Sequence, residues 1–182
     1  MNNLYKEINF PFPFKFVFPK DDYKPMADYD FKNNLSQEYK NWLFARNINI
    51  GHAEIFSIGP NSEYDHVPIH ADGQAIDNHV KINYTFCKHP VKINWYTPVD
   101  EKYLKKINTP LNTTYMSADE DKCTKMHTEY LSNPNGQCYL FNAGQLHALE
   151  KVKSLCTTFC LVLKNKDGSG LQWDKAINLF DF

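Results

Sequence analysis

Residues 67–86, VPIHADGQAIDNHVKINYTF, hold two short apolar runs joined by a turn that contains a glycine. The runs 67–71 and 80–87 are rich in β-branched and aromatic residues, which predicts two β-strands. A strand repeats every two residues, so His70 and Asp72 share one face at the end of the first run. Gly73 follows at once, where the chain can turn around whatever that face holds.

The same pattern spreads outward from this stretch. AEIFSIG (53–59), VKINWYT (91–97), TTYMSA (113–118), GQCYLFN (136–142) and LCTTFCLVL (155–163) are predicted strands, separated by turn clusters such as GPNSEYD, KHP and NKDGSG. Seven such strands predict a mainly β chain, a sandwich or a barrel. Two helices flank them. Ser36 caps SQEYKNWLFARN (36–47), where Tyr39, Trp42 and Leu43 recur at helical spacing. In the tail GLQWDKAINLFDF, Leu171, Trp173, Ile177 and Phe180 are predicted to face inward. Residues 10–25 alternate proline with aromatics, which excludes helix and predicts an extended arm lying on the body.

At 182 residues, with no repeat or linker, residues 1–182 are expected to form a single domain. A net charge of −1 gives no electrostatic footprint for nucleic acid. The five cysteines at 87, 123, 138, 156 and 160 form no CxxC pair, and Cys156 and Cys160 lie too far apart along a strand for a disulfide. That fits a reducing, cytoplasmic setting. Neither a signal peptide nor a membrane-spanning run is read.

Seven histidines and thirteen aspartates among 182 residues predict roughly half a His-x-Asp match by chance, so the tripeptide alone decides nothing. Two rivals, His52-Ala-Glu54 and His127-Thr-Glu129, offer equally suitable ligand types. His52 reads as lying just before a strand, with Glu54 alternating with Ile55 like a surface position. His127 stands twenty residues before His147, which leaves little chain for strands between them. His70 and Asp72 end an apolar strand at a glycine. His147, in LFNAGQLHALE (140–150), follows an apolar strand and a glycine turn in the same way. His70, Asp72 and His147 would make a facial set of two imidazoles and one carboxylate, the donor set of non-haem Fe(II) sites. Zinc through His66 and His70 lacks a clear set of four ligands. His66, His79 and His89 read as loop or edge residues.

The sequence resembles the iron(II)- and 2-oxoglutarate-dependent oxygenase superfamily, above all the small prolyl-hydroxylase-like proteins of marine bacteriophages. The likeness lies in VPIHADG (67–73), HVKINYTF (79–86), INWY (93–96), LFNAGQLHAL (140–149) and TFCLVL (158–163). It implies a double-stranded β-helix, a jelly-roll barrel with His70, Asp72 and His147 as metal ligands in its mouth. It also implies Fe(II), 2-oxoglutarate and oxygen as reactants, ascorbate as an accessory reductant, and hydroxylation of a protein side chain, prolyl included, or of a small molecule. A phage protein of this kind would work in the host cytoplasm.

The resemblance lacks one part. Its members usually carry an arginine or lysine on the strand after the second histidine, where it holds the far carboxylate of 2-oxoglutarate. Here Cys156, Thr157 and Thr158 occupy that stretch, and Arg46 in the helix is the chain's one arginine. Lys81 stands where some relatives place a lysine instead. Alternation groups it with Asn83 and Thr85, opposite Ile82, Tyr84 and Phe86, which the 36–47 helix could cover. Lys81 and Asn83 are therefore the expected cosubstrate-binding residues. The contrasting reading, which the missing arginine favours, is a non-catalytic cupin-like module that binds a metal or a partner. Trp95 and Tyr96 read as core residues near the cleft, and substrate specificity is expected in loops 98–112 and 119–135.

Overall fold

The computed structural model describes residues 4–8, 26–28, 30, 35–60, 65–131 and 137–180; the extended arm expected over 10–25 lies outside them. Twelve strands are described: β1 (Tyr5–Glu7), β2 (Met26–Asp28), β3 (Ile48–Ile58), β4 (Val67–Ala71), β5 (Val80–Cys87), β6 (Val91–Pro98), β7 (Lys105–Asn108), β8 (Thr114–Ser117), β9 (Cys123–Leu131), β10 (Gln137–Asn142), β11 (His147–Leu149) and β12 (Cys156–Asn165). Two helices, α1 (Gln37–Ala45) and α2 (Trp173–Leu179), complete the regular structure.

The strands form two six-stranded antiparallel sheets, ordered β1-β10-β5-β12-β3-β2 and β7-β8-β4-β11-β6-β9. From β3 to β6, and again from β9 to β12, successive strands lie in alternate sheets. Without β1 and β2 in the first sheet and β7 and β8 in the second, β10-β5-β12-β3 faces β4-β11-β6-β9, which is the strand order of a jelly roll. Side chains from both sheets meet in one buried cluster, with Ile58, Tyr139 and Phe141 from the first sheet against Ile93, Trp95 and Leu149 from the second.

A second cluster lies on the outer face of the first sheet. Ile82, Tyr84, Phe159 and Leu161 pack there against Tyr39 and Leu43 of α1 and against Trp173 and Ala176 of α2. Helix α1 begins where the Ser36 hydroxyl accepts the Tyr39 amide at 3.1 Å, and it ends before Asn47, whose φ of 61° is left-handed. Leu171, Trp173 and Phe180 are buried and Ile177 is partly so, as expected of an inward-facing tail helix.

Several sequence expectations are corrected. His52 lies inside β3, which starts five residues earlier than the predicted strand. Of loop 119–135, the described residues 119–131 are mostly β9; CTKMHTEYL escapes notice because this edge strand leaves its polar side chains half-buried or exposed. Loop 98–112 contains a 3-10 turn at Glu101–Tyr103 and then β7. All five cysteines are free. Among the described residues, no helix is long and apolar enough to cross a membrane.

Candidate metal centre and its cavity

Strands β4 and β11 are antiparallel neighbours, and their register sets His70 directly opposite His147. The two imidazole rings lie 4.4 Å apart between centroids. Asp72, two residues beyond His70, projects to the same side. One nitrogen or carboxylate oxygen from each of His70, Asp72 and His147 lies within 4.8 Å of the others. Among the described residues, no other three His, Cys, Asp or Glu side chains converge in this way.

The backbone around the three residues is tied down. Gly73 adopts a φ of 104°, a conformation that favours glycine, and turns the chain immediately after Asp72. The Asp72 amide donates to the Ala143 carbonyl at 2.8 Å, and the Asp77 amide donates to the Gly144 carbonyl at 3.1 Å. A Cβ on Gly144 would collide with Asp77, so this glycine is required by close approach. The loop after Asp72 and the turn before His147 therefore hold each other.

Hydrogen bonding fixes both imidazoles in the tautomer a metal needs. His70 Nδ1 lies 2.9 Å from the Pro68 carbonyl, and His147 Nδ1 lies 2.8 Å from the Gln145 carbonyl. A carbonyl only accepts, so each Nδ1 carries a proton and Nε2 is the atom each ring has left for a metal. Burial, followed by the neighbouring His70, pushes the His147 pKa down to about 3, which keeps this ring neutral. Burial by itself would raise the Asp72 pKa, but the ammonium of Lys81 and the ring of His70 hold it well below the usual carboxylate range. Two imidazoles that offer Nε2 and one ionised carboxylate are a donor set that fits a first-row divalent metal.

Lys81 is in the site, although not as a free cation. Its Nζ lies 2.7 Å from Asp72 Oδ2 and 2.5 Å from Glu54 Oε1, and it donates to the Tyr115 hydroxyl at 3.4 Å. Lys81, Glu54 and Asp72 are all buried. Burial pulls the Lys81 pKa down, yet Asp72 and Glu54 together raise it well above the ordinary lysine value. This corrects the reading of Glu54 as a surface residue. Both faces of β3 are covered: Ala53 and Ile55 meet the helices, while Glu54, Phe56 and Ile58 line the cavity. Behind Glu54, His52 Nε2 lies 3.5 Å from Glu54 Oε2 and 3.4 Å from Asp28 Oδ1, so the ion pairs run from the surface to the ligand Asp72.

The three ligands, Lys81 and Asn83 line one cavity of about 240 Å³ between the sheets. Thr85 and Thr158 also line it, paired across β5 and β12 with their hydroxyls 3.1 Å apart. On β12 the cavity is lined by Thr158 and Cys160, whereas the hydroxyl of Thr157 meets Ser57 at 2.9 Å. Tyr115 of β8 stacks on His70, with ring centroids 5.5 Å apart, and so covers one side of the site. Trp95, expected in the core, is fully buried and lines the cavity as well. Sequence reasoning missed Glu54 and Tyr115. A single acidic residue on β3, two positions from the residue that stands level with Lys81 across β12, was the signal for Glu54.

The other His-x-Glu pair does not line the cavity. His127 and Glu129 are 3.8 Å apart on β9, and Glu129 accepts the hydroxyl of Tyr5. His66 is held by Asp65 at 2.8 Å, at the edge of the cavity. His79 bonds Asp77 in the loop after Asp72.

No family model matches the sequence, and no curated protein matches it. Among solved structures, the chain is similar to procruciferin, an 11S globulin from Brassica napus, at 12% identity and a TM-score of 0.35. The match covers 89% of this chain and 34% of that one, so the chain spans about a third of the protein's length.

Proposed function

We propose that the protein is a non-haem Fe(II) oxygenase that depends on a 2-oxo acid, as 2-oxoglutarate-dependent enzymes do, and hydroxylates a C–H bond of a protein side chain, prolyl included, or of a small molecule. One observation carries the proposal: His70, Asp72 and His147 offer three metal-ligand atoms to one point, at the wall of a cavity. Three protein ligands leave the remaining coordination positions for reactants. Fe(II) held there would let a 2-oxo acid and oxygen react together, one oxygen atom ending in the shortened carboxylic acid, released with carbon dioxide, and the other in the hydroxylated product.

The chain's own residues serve this chemistry in three ways. The backbone carbonyls of Pro68 and Gln145 orient the two imidazoles. Lys81 holds the outer oxygen of Asp72, which leaves Oδ1, 3.3 Å from His70 Nε2, on the side of the histidines. Ile93, Trp95 and Phe141 give the cavity dry walls, which strengthens every polar contact inside it and keeps water from the reacting groups.

Oxygen uptake by the full chain tests the proposal. The expected result is uptake that requires both Fe(II) and a 2-oxo acid and that disappears in Asp72→Ala. Uptake that ignores the oxo acid would refute it.

A second reading, a metal- or partner-binding jelly roll without turnover, is favoured by the engagement of Lys81 with Glu54 and by threonines standing where the expected cation is missing. Metal binding without binding of any 2-oxo acid would favour that reading.

A further inference from the structure

The proposed chemistry leaves open which 2-oxo acid the cavity accepts, and charge distribution inside the cavity bears on this. Among the described residues, Lys81 is the one lysine or arginine lining it. Its three N–H donors face Asp72 at 2.7 Å, Glu54 at 2.5 Å and the Tyr115 hydroxyl at 3.4 Å. A ligand carboxylate could reach this ammonium only by displacing one of them, and Glu54 is itself buried and would lose its partner. The other polar groups along β5 and β12 are uncharged: Asn83, Thr85 and Thr158. The Asn83 side-chain carbonyl is buried and has no hydrogen-bond partner.

A count of charges agrees with this geometry. Lys81 contributes +1, and Asp72 and Glu54 contribute −1 each. A divalent ion brings the buried site to +1. The carboxylate of a 2-oxo acid that sits on the metal brings it to zero. A second carboxylate in the same cavity would leave a buried charge of −1 with no cation free to meet it, an arrangement proteins avoid. Ile58, Ile93, Trp95, Leu131 and Phe141 supply apolar wall to the same cavity.

We infer that the 2-oxo acid taken by this site carries an uncharged tail, and that 2-oxoglutarate is the poorer ligand because Glu54 already occupies Lys81. The inference rests on the proposed oxo-acid chemistry and departs from the cosubstrate that the sequence resemblance implies. It also assigns Glu54 a role: it sets cosubstrate specificity by neutralising the one lysine that, among the described residues, lines the cavity.

A matched pair of acids tests this. 2-Oxopentanoate and 2-oxoglutarate differ only in whether the chain ends in a methyl group or a carboxylate. Each is titrated calorimetrically, without oxygen, into the full chain loaded with Fe(II). The expected result is tighter binding of 2-oxopentanoate, by about ten-fold. In Glu54→Gln, where Lys81 is released, the preference should shrink or reverse. Equal or tighter binding of 2-oxoglutarate by the wild-type protein overturns the inference and leaves the oxygenase proposal standing. If Fe(II) binds but neither acid does, the oxygenase proposal falls and this inference falls with it. The wild-type comparison stands even if the Glu54 variant fails to fold.

Discussion

Lys81 Nζ lies 2.7 Å from Asp72 Oδ2, so the carboxylate that offers one oxygen to a metal is held through its other oxygen by a buried ammonium. The ammonium is held in turn by Glu54, and Glu54 is approached by the half-exposed His52. Strand β5 thus lends the site a charge that β3, on the far side of β12, and the loop after β4 share.

Removing that charge strands two buried anions. Lys81→Met should destabilise the metal-free protein by about 3–5 kcal/mol, the usual cost of breaking a buried ion pair from one side. Adding Glu54→Gln to Lys81→Met should restore part of the loss, because one of the two orphaned charges is then gone. Urea unfolding of the wild type, both single variants and the double variant gives the coupling directly. A single Lys81→Met variant as stable as the wild type would show that the ammonium is dispensable.

Metal affinity should separate the three ligands from their sequence rivals. Alanine at His70, Asp72 or His147 should each weaken Co(II) or Fe(II) binding by more than about 100-fold, beyond the 10- to 100-fold typical of an outer-sphere partner. His127→Ala and Glu129→Ala should leave the affinity unchanged, since that pair sits on β9 and Glu129 is bonded to Tyr5. Calorimetric titration of each variant distinguishes the two groups.

The His52 imidazole reports on the same ion-pair chain from outside. The Glu54 carboxylate is the main cause of its pKa being raised above 6.5. A pKa raised on folding contributes stability that is fully present below about 6.5 and is lost as pH rises through the folded value. An NMR titration should therefore find His52 above 6.5 in the wild type. Glu54→Gln should bring it back down. A His52 pKa unaffected by Glu54→Gln would break the link between the two groups.

Strand periodicity made the metal ligands readable. His70 and Asp72 fall on one face because a strand repeats every two residues, and His147 repeats the same context of apolar strand and glycine turn. What the sequence does not carry is the register that sets His147 opposite His70 across β4 and β11, because β11 is only three residues long. Glu54 was misread for a related reason. Its alternation with Ile55 looks like that of a half-exposed strand, but β3 is covered on one face by helices and borders a cavity on the other. Lys81, Asn83 and Thr85 do share the cavity face, with Ile82 and Tyr84 packed beneath α1. That Lys81 would be engaged by two carboxylates depends on contacts between distant strands, which no local pattern reveals. The polar edge strands β7 and β9 read as loops because partly exposed strands lack a continuous apolar face.

The core should behave independently of the site. Phe159 is fully buried on the outer face of β12, between the sheet and the helices. Phe159→Ala should cost about 3–5 kcal/mol in unfolding while leaving metal affinity in the folded protein unchanged. A loss of metal affinity in a well-folded Phe159→Ala variant would show that this packing positions the ligands.

The most direct measurement is a crystal structure of the full chain grown without oxygen in the presence of Fe(II) and 2-oxopentanoate. One ion is expected, bound by Nε2 of His70, Nε2 of His147 and a single oxygen of Asp72, with Lys81 still on the other oxygen. The oxo acid should occupy the open side of the ion, its tail against the walls formed by Trp95 and Phe141. An ion bound elsewhere, or His70 and His147 turned away from a common point, would contradict the account.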